Sequence, residues 1–126
     1  VGVLDNGKLV QFGSPRDIYE NPVSIYAASR LGQPRINVLP VDVFGGAPDQ
    51  ATHIGLRPEQ ISQGDGEESF VQRVEHLGDQ TRLHLKFKAH ELITVTDAHT
   101  ALKKGDIVKI RPENPFYFDA TGARLA

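Results

Sequence analysis

Residues Phe70–Phe87, FVQRVEHLGDQTRLHLKF, decide how the chain folds. In the second half Thr81, Leu83, Leu85 and Phe87 alternate with Arg82, His84, Lys86 and, just beyond the stretch, Lys88. A period of two belongs to a strand with one dry and one wet face. The first half, Phe70 to Leu77, is rich in apolar and branched residues, and Leu77-Gly78-Asp79 interrupts it with a turn signal. The stretch therefore predicts two strands joined at Gly78. A hairpin of this size is marginal alone in water, so other strands must cover Val74, Leu83, Leu85 and Phe87.

Working outward supplies them. Downstream lie Leu92–Thr96, then Ile107–Ile110 after the turn Lys104-Gly105-Asp106, then Phe116–Phe118 before a turn at Thr121-Gly122. Upstream, Ser62–Ser69, SQGDGEES, is polar and expected to be flexible. Before it, Thr52–Arg57 reads as a strand halted at Pro58. Val38–Phe44 reads as another, with Pro40 at its start or edge and Gly45-Gly46-Ala47-Pro48-Asp49 ending it. About six or seven short strands within roughly 90 residues point to a small barrel or sandwich. Closure is expected, because it removes the edges that so few strands would otherwise expose.

The opening residues have a different texture. Asn6-Gly7 between Val1–Leu4 and Leu9–Phe12 is a strong hairpin signal, since both central positions of a type I′ turn need positive φ. Gly2, Gly7 and Lys8 also match the G-x-x-x-x-G-K spacing of a phosphate-binding loop, but Leu9 stands where a hydroxyl must reach magnesium. Leu9–Phe12 reads as a strand where that loop requires a helix, so the hairpin is preferred. Ser14-Pro15-Arg16-Asp17 starts a helix, with a Ser cap, Pro in the first turn and an acidic residue at the positive dipole end. Asn21-Pro22 is expected to start a second, which ends at Gly32 with Pro34 beyond. Ile18, Tyr19, Tyr26 and Leu31 make an apolar surface that needs a partner, and ordinary packing against a missing domain is preferred over a ligand site for such a stripe.

Composition narrows the function classes. The chain has 126 residues, 39% of them hydrophobic, and a formal charge of −2. That supports one domain, or a small domain with an appendage, and argues against a surface dominated by phosphate contacts. There is no cysteine, hence no disulfide framework and no thiolate metal site. No apolar run approaches the roughly 20 residues that cross a bilayer. There is also no methionine, and the chain opens on an apolar run. The expectation is a processed start or a piece of something longer.

Catalytic chemistry finds little support. His53, His76, His84, His90 and His99 lack the spacing of paired metal ligands and read as surface residues. Glu67-Glu68 sits in the polar stretch, a poor place to hold an acid and a base. No serine has an esterase setting. The row Arg82, His84, Lys86 and Lys88 is the best argument for nucleic acid, yet no aromatic is interleaved with it. A solvated face or a protein contact is preferred.

In order and spacing the motifs resemble a known family. Asn6-Gly7-Lys8, Gln11-Phe12-Gly13-Ser14-Pro15, Ile18-Tyr19, Asn21-Pro22, Leu31-Gly32-Gln33-Pro34 and Asn37-Val38-Leu39-Pro40 are similar to the end of the nucleotide-binding domain of sugar-class ATP-binding-cassette importers. Gly55-Leu56-Arg57-Pro58-Glu59, Val74 to Thr81, Gly105-Asp106 and Phe118 to Leu125 resemble the regulatory TOBE domain of the same subunits, the maltose-importer ATPase among them.

The resemblance implies a mainly β fold: an OB-like barrel of short antiparallel strands, preceded by a β-hairpin and two short helices. It implies that residues 1–32 are the end of the ATPase domain and 33–126 the regulatory domain. Asn37, Arg57, Pro58, Glu59, Gly78, Gly105, Asp119 and Gly122 are the family-motif positions, with structural or regulatory roles. Catalytic, cofactor and metal residues are expected to be none here, because in the family ATP and Mg²⁺ are held by segments upstream of Val1. The implied partners are a second copy, the missing nucleotide-binding domain, membrane permease subunits and a regulatory protein, with no nucleic acid. The implied location is cytoplasmic, peripheral to the inner membrane. A second reading, binding of a molybdate-like oxyanion in a backbone nest, stays open, as does, more distantly, an OB-type nucleic-acid binder.

Overall fold

The computed structural model describes residues 1–32 and 34–125. Among them the chain runs β1 (Gly2–Asp5), β2 (Lys8–Phe12), α1 (Pro15–Glu20), α2 (Ile25–Ser29), β3 (Asn37–Pro40), β4 (His53–Leu56), β5 (Ile61–His76), β6 (Gln80–Phe87), β7 (His90–Asp97), β8 (Ile107–Pro112) and β9 (Phe116–Phe118). The mainly β, antiparallel class expected from the sequence holds. Packing divides the chain into two units, one of Val1–Gly55 with the segment from Phe116 on, the other of Leu56–Pro115. This is a division by contact. The expected boundary after residue 32 is one of family ancestry and remains a proposal.

The second unit is built on a four-stranded sheet of order β7-β6-β5-β8, each strand antiparallel to its neighbour. Thr81, Leu83, Leu85 and Phe87 are all completely buried, as the alternation of β6 requires. Val71 and Val74 are three residues apart, which strict alternation would put on opposite faces. A bulge between Val71 and Arg73 absorbs the odd residue, so Val71 faces Leu85 and Val74 faces Leu83. Leu92, Leu85 and Val71 then form one buried row across three strands. Each such side chain contributes about 1.5–3 kcal/mol through burial.

Three expectations for the strands are corrected. The polar stretch Ser62–Ser69, expected to be flexible, lies inside β5 and pairs with β8 through its backbone. A backbone ladder is indifferent to side-chain polarity where the side chains point outward, and Gly64 to Glu68 are exposed. Gln63 and Glu67 both stand opposite Ile110, with Gly64-Asp65-Gly66 as the bulge. Composition missed this because glycine there serves geometry: Gly66 has φ 110°, and a Cβ on it would lie 2.1 Å from the Ile110 carbonyl oxygen.

Closure is also different. β7 and β8 are the outer strands of the sheet, so no backbone ladder completes a ring among the described residues. Side chains bridge the start of this unit to β7 instead. Gln63 Nε2 donates to the Val95 carbonyl at 3.1 Å, and the Thr94 hydroxyl donates to the Pro58 carbonyl at 2.7 Å. The start of β5 is already paired with β8, which leaves side chains to reach the other way.

The expected strand Val38–Phe44 is shorter. β3 ends at Pro40, and Val41–Val43 form a 3-10 turn that buries Val43. Proline cannot continue a ladder as donor, so the strand stops there.

In the first unit β1 and β2 pair around Asn6 (φ 51°) and Gly7 (φ 78°), the expected hairpin. Helix α1 is capped as the sequence indicates: the Ser14 hydroxyl accepts from Asp17 N at 3.1 Å and Asp17 Oδ2 accepts from Ser14 N at 3.4 Å. Helix α2 corrects its expected start at Asn21-Pro22. Its cap is Ser24, whose hydroxyl accepts from Ala27 N at 3.1 Å, because Val23 and Ser24 are held extended against the end of the chain. Val3, Ile18 and Ala27 share one apolar cluster with Leu31, and Ala28, Ile36, Phe116 and Phe118 share another with Ile25 and Val38. Of the expected apolar surface, Ile18 is completely buried with Val3 and Ala27 of this same chain and Leu31 packs on them, whereas Tyr26 is exposed and Tyr19 half-buried. Strand β4 lies between β3 and β9 and runs antiparallel to β9. No helix among the described residues is long and apolar enough to cross a membrane.

Candidate functional site

The eight family-motif positions are distributed over both units. Asn37, Asp119 and Gly122 belong to the first; Arg57, Pro58, Glu59, Gly78 and Gly105 belong to the second. Within each unit their local surroundings are as follows.

Arg57-Pro58-Glu59 leads into a 3-10 turn, Pro58–Gln60, directly after β4. Arg57 and Pro58 are buried, and Glu59 is exposed. Gln60 fastens this turn. Its Oε1 accepts from Arg57 N at 2.7 Å, its own N–H donates to the Arg57 carbonyl at 2.9 Å, and its Nε2 donates to the Asn114 carbonyl at 2.7 Å. Glu113 N donates back to the Gln60 carbonyl at 2.8 Å, while Thr94 holds Pro58 from β7. A segment bonded on all sides in this way cannot shift without breaking several bonds.

Asp119 and Gly122 organise a strap at the end of the chain. Asp119 Oδ1 accepts from the Thr121 hydroxyl at 2.6 Å, from Thr121 N at 2.9 Å and from Ala123 N at 3.1 Å. The Thr121 hydroxyl, followed by these backbone donors, holds the carboxyl of Asp119 below the usual range. Gly122 turns the chain at φ 86°. Its carbonyl accepts from Ile25 N at 2.9 Å, Arg124 N donates to the Val23 carbonyl at 2.9 Å, and Leu125 N donates to the Tyr117 carbonyl at 2.8 Å. The strap thus joins the start of α2 to β9. Asn37 is buried in β3 of the same unit.

Gly78 (φ 90°) and Gly105 (φ 95°) are turn residues. The Gly105 N–H donates to the Val71 carbonyl at 2.8 Å, and Val71 N donates to the Asp106 carbonyl at 2.9 Å, which seats the turn before β8 on β5.

Part of the basic row along and just after β6 has carboxylate partners. Glu75 hydrogen-bonds to His84 and lies 3.3 Å from Arg73 Nη2 and 3.9 Å from Arg82 Nη1. His84 is the main influence holding the Glu75 carboxyl below its usual range, with the arginines adding to it. Lys88 Nζ pairs with Glu67 at 3.2 Å. Among the described residues no group of three or more His, Cys, Asp or Glu could hold a metal ion. Among the exposed apolar residues are Leu4, Leu9, Val10 and Phe12 on the N-terminal hairpin, and Phe70 and Ile107, which face each other across β5 and β8.

Sequence reasoning missed Thr94, Gln60 and Gln63, because their partners lie more than 30 positions away in the chain. Gln60 had a local signal, three positions after Arg57, in the spacing of a capping box. Tyr26, part of the expected apolar surface, has a polar role besides: its hydroxyl donates to the Leu4 carbonyl at 2.6 Å.

The family profile described as TOBE domain matches residues 54–116. The chain is similar to the sn-glycerol-3-phosphate import ATP-binding protein UgpC of Ruegeria sp., at 32% identity over 98% of this chain and 41% of that protein. It is similar also to UgpC 2 of Rhizobium johnstonii, at 28% identity over 82% of this chain and 34% of that protein. The maltose/maltodextrin import ATP-binding protein MalK of Photorhabdus laumondii is 32% identical over 69% of this chain and 31% of its own length. The chain spans about a third to two-fifths of the length of these relatives.

Proposed function

Because the chain belongs to the TOBE-domain family, we propose that it is the regulatory, dimer-stabilising C-terminal part of the ATP-binding subunit of an ABC importer for a carbohydrate or related solute. The observation that carries this reading is the family match from β4 to β9, the stretch fastened by the Gln60 turn and the four-stranded sheet. Relatives named for import of sn-glycerol-3-phosphate and of maltose support the solute class. Residues 1–32 are then the end of the nucleotide-binding domain and 33–126 the regulatory domain. ATP and Mg²⁺ belong to the upstream portion, and this chain takes no cofactor and performs no hydrolysis. Its partners are a second copy, the nucleotide-binding domain, permease subunits and a regulatory protein, and it sits on the cytoplasmic side of the inner membrane through that complex.

In this role Asn37, Asp119 and Gly122 within the first unit, and Arg57, Pro58, Glu59, Gly78 and Gly105 within the second, each keep their own unit's local structure fixed, so that each unit's surface meets a partner preformed. Preformed surfaces lose little conformational entropy on binding. A two-fold pair of such surfaces is the commonest dimer.

Light scattering at high micromolar concentration tests the dimer: twice the chain mass supports it, and a monomer removes that part of the proposal. An ATPase assay on the chain alone is expected to show no turnover above buffer, and hydrolysis by this chain would overturn the assignment. Nucleotide-binding motifs in the coding sequence before Val1 are expected, and an unrelated domain there refutes the class.

A further inference from the structure

We propose that Asn6 is a site of spontaneous covalent modification, at which the N-terminal hairpin ages by deamidation. The chain has four asparagines, and their neighbours separate them chemically. Ring closure at an asparagine needs the N–H of the next residue as nucleophile. Asn21 and Asn114 precede Pro22 and Pro115, which have no N–H. Asn37 is buried in β3 and precedes the β-branched Val38, which crowds the approach. Asn6 alone precedes glycine. Both Asn6 and Gly7 are exposed, and a Cβ built on Gly7 meets nothing within 4 Å.

The chemistry balances without an added reagent except water. The Gly7 nitrogen gives up its proton and bonds to Cγ of Asn6, the bond from Cγ to the carboxamide nitrogen breaks, and ammonia leaves. Water then opens the five-membered imide at either carbonyl. One opening yields aspartate at residue 6; the other routes the backbone through the side chain and yields isoaspartate. Both replace a neutral amide by a carboxylate beside Asp5.

The fold sets both the rate and the consequence. The paired hairpin holds Asn6 at φ 51° and Gly7 at φ 78°, so ring closure proceeds through transient opening of the turn. Isoaspartate adds a methylene to the backbone of a two-residue turn whose length sets the β1–β2 register. Val3 on β1 is packed with Ile18 and Ala27, so loss of register disturbs the helices too.

The test is a time course of the whole chain at mildly alkaline and mildly acidic pH, read by mass spectrometry of the tryptic peptide Val1–Lys8. The expected result is the mass shift from amide to acid in that peptide, faster at alkaline pH and split into two chromatographic species of equal mass. Peptides containing Asn21, Asn37 and Asn114 stay unshifted. Asn6→Gln, whose longer side chain closes a six-membered ring slowly, loses the shift, and Asn6→Asp starts as a single species of the shifted mass. A synthetic peptide of residues 1–8 runs alongside as the measure of full reactivity. The proposal is overturned if the chain's own Val1–Lys8 stays unmodified while the free peptide is consumed, or if another asparagine is modified first.

Discussion

At the scale of single residues, two carboxylates and two glycines show how local chemistry is tied to the fold. Asp119 and Glu75 both have carboxyl groups held below the usual range, by Thr121 and by His84 respectively. In the unfolded chain each would take up its proton at about pH 4. The depressed folded value means that the contribution of each is complete above that pH and is lost as pH falls through the folded value. Stability therefore declines on the acid side of about pH 4, and Asp119→Asn, which cannot titrate, should flatten part of that decline. Urea midpoints measured from neutral to acid pH check this; an unchanged profile in Asp119→Asn would contradict it. Gly66 is constrained by space as well as by φ, since a Cβ there meets the Ile110 carbonyl. Gly66→Ala is expected to cost about 2 kcal/mol or more, through strain in the left-handed region and displacement of β8. Gly78→Ala, where nothing lies within 4 Å, bears the φ penalty without the clash and should cost less. Comparing the two urea midpoints separates these causes.

At the scale of elements, the long strand β5 decides the shape of its sheet. It pairs with β6 over one part of its length and with β8 over another, and it uses two irregularities to do so. The bulge after Val71 keeps Val71 and Val74 on the dry face, while the glycine bulge lets Gln63 and Glu67 share Ile110. Where a ladder to β7 is lacking, Thr94 and Gln63 supply the bridge. Thr94→Val keeps the volume and leaves the Pro58 carbonyl without this donor, so it should cost about 1–3 kcal/mol. Lys86→Ala, on the exposed face of the neighbouring strand, should stay within about 0.5 kcal/mol of wild type. Equal effects from the two substitutions would mean that the bridge contributes nothing.

At the scale of the whole chain, the strap from Asp119 to Leu125 joins segments more than 90 positions apart, through Ile25 to Gly122 and Arg124 to Val23. Removing the chain from Asp119 onward should speed hydrogen exchange at the Ile25 amide, whose acceptor is lost, and leave the capped Asp17 amide of α1 protected. Unaltered exchange at Ile25 would count against the strap. What the sequence determined by itself is whatever lies within a few neighbours. The Asn6-Gly7 hairpin, the Ser14 cap, the dry and wet faces of β6 and the turn at Gly78 each need only positions two to four apart. The antiparallel mainly β class comes from summing those local signals, and the order of motifs was enough to suggest the family. Only the tertiary structure decided that Ser62–Ser69 is strand, that α2 starts at Ser24, that Glu75 answers the cations of β6, and that side chains bridge β7 to the turn and strand start before it. Each of these depends on hydrogen bonds or charges from residues distant in the chain, and their free energy exists only once packing has brought the partners within reach.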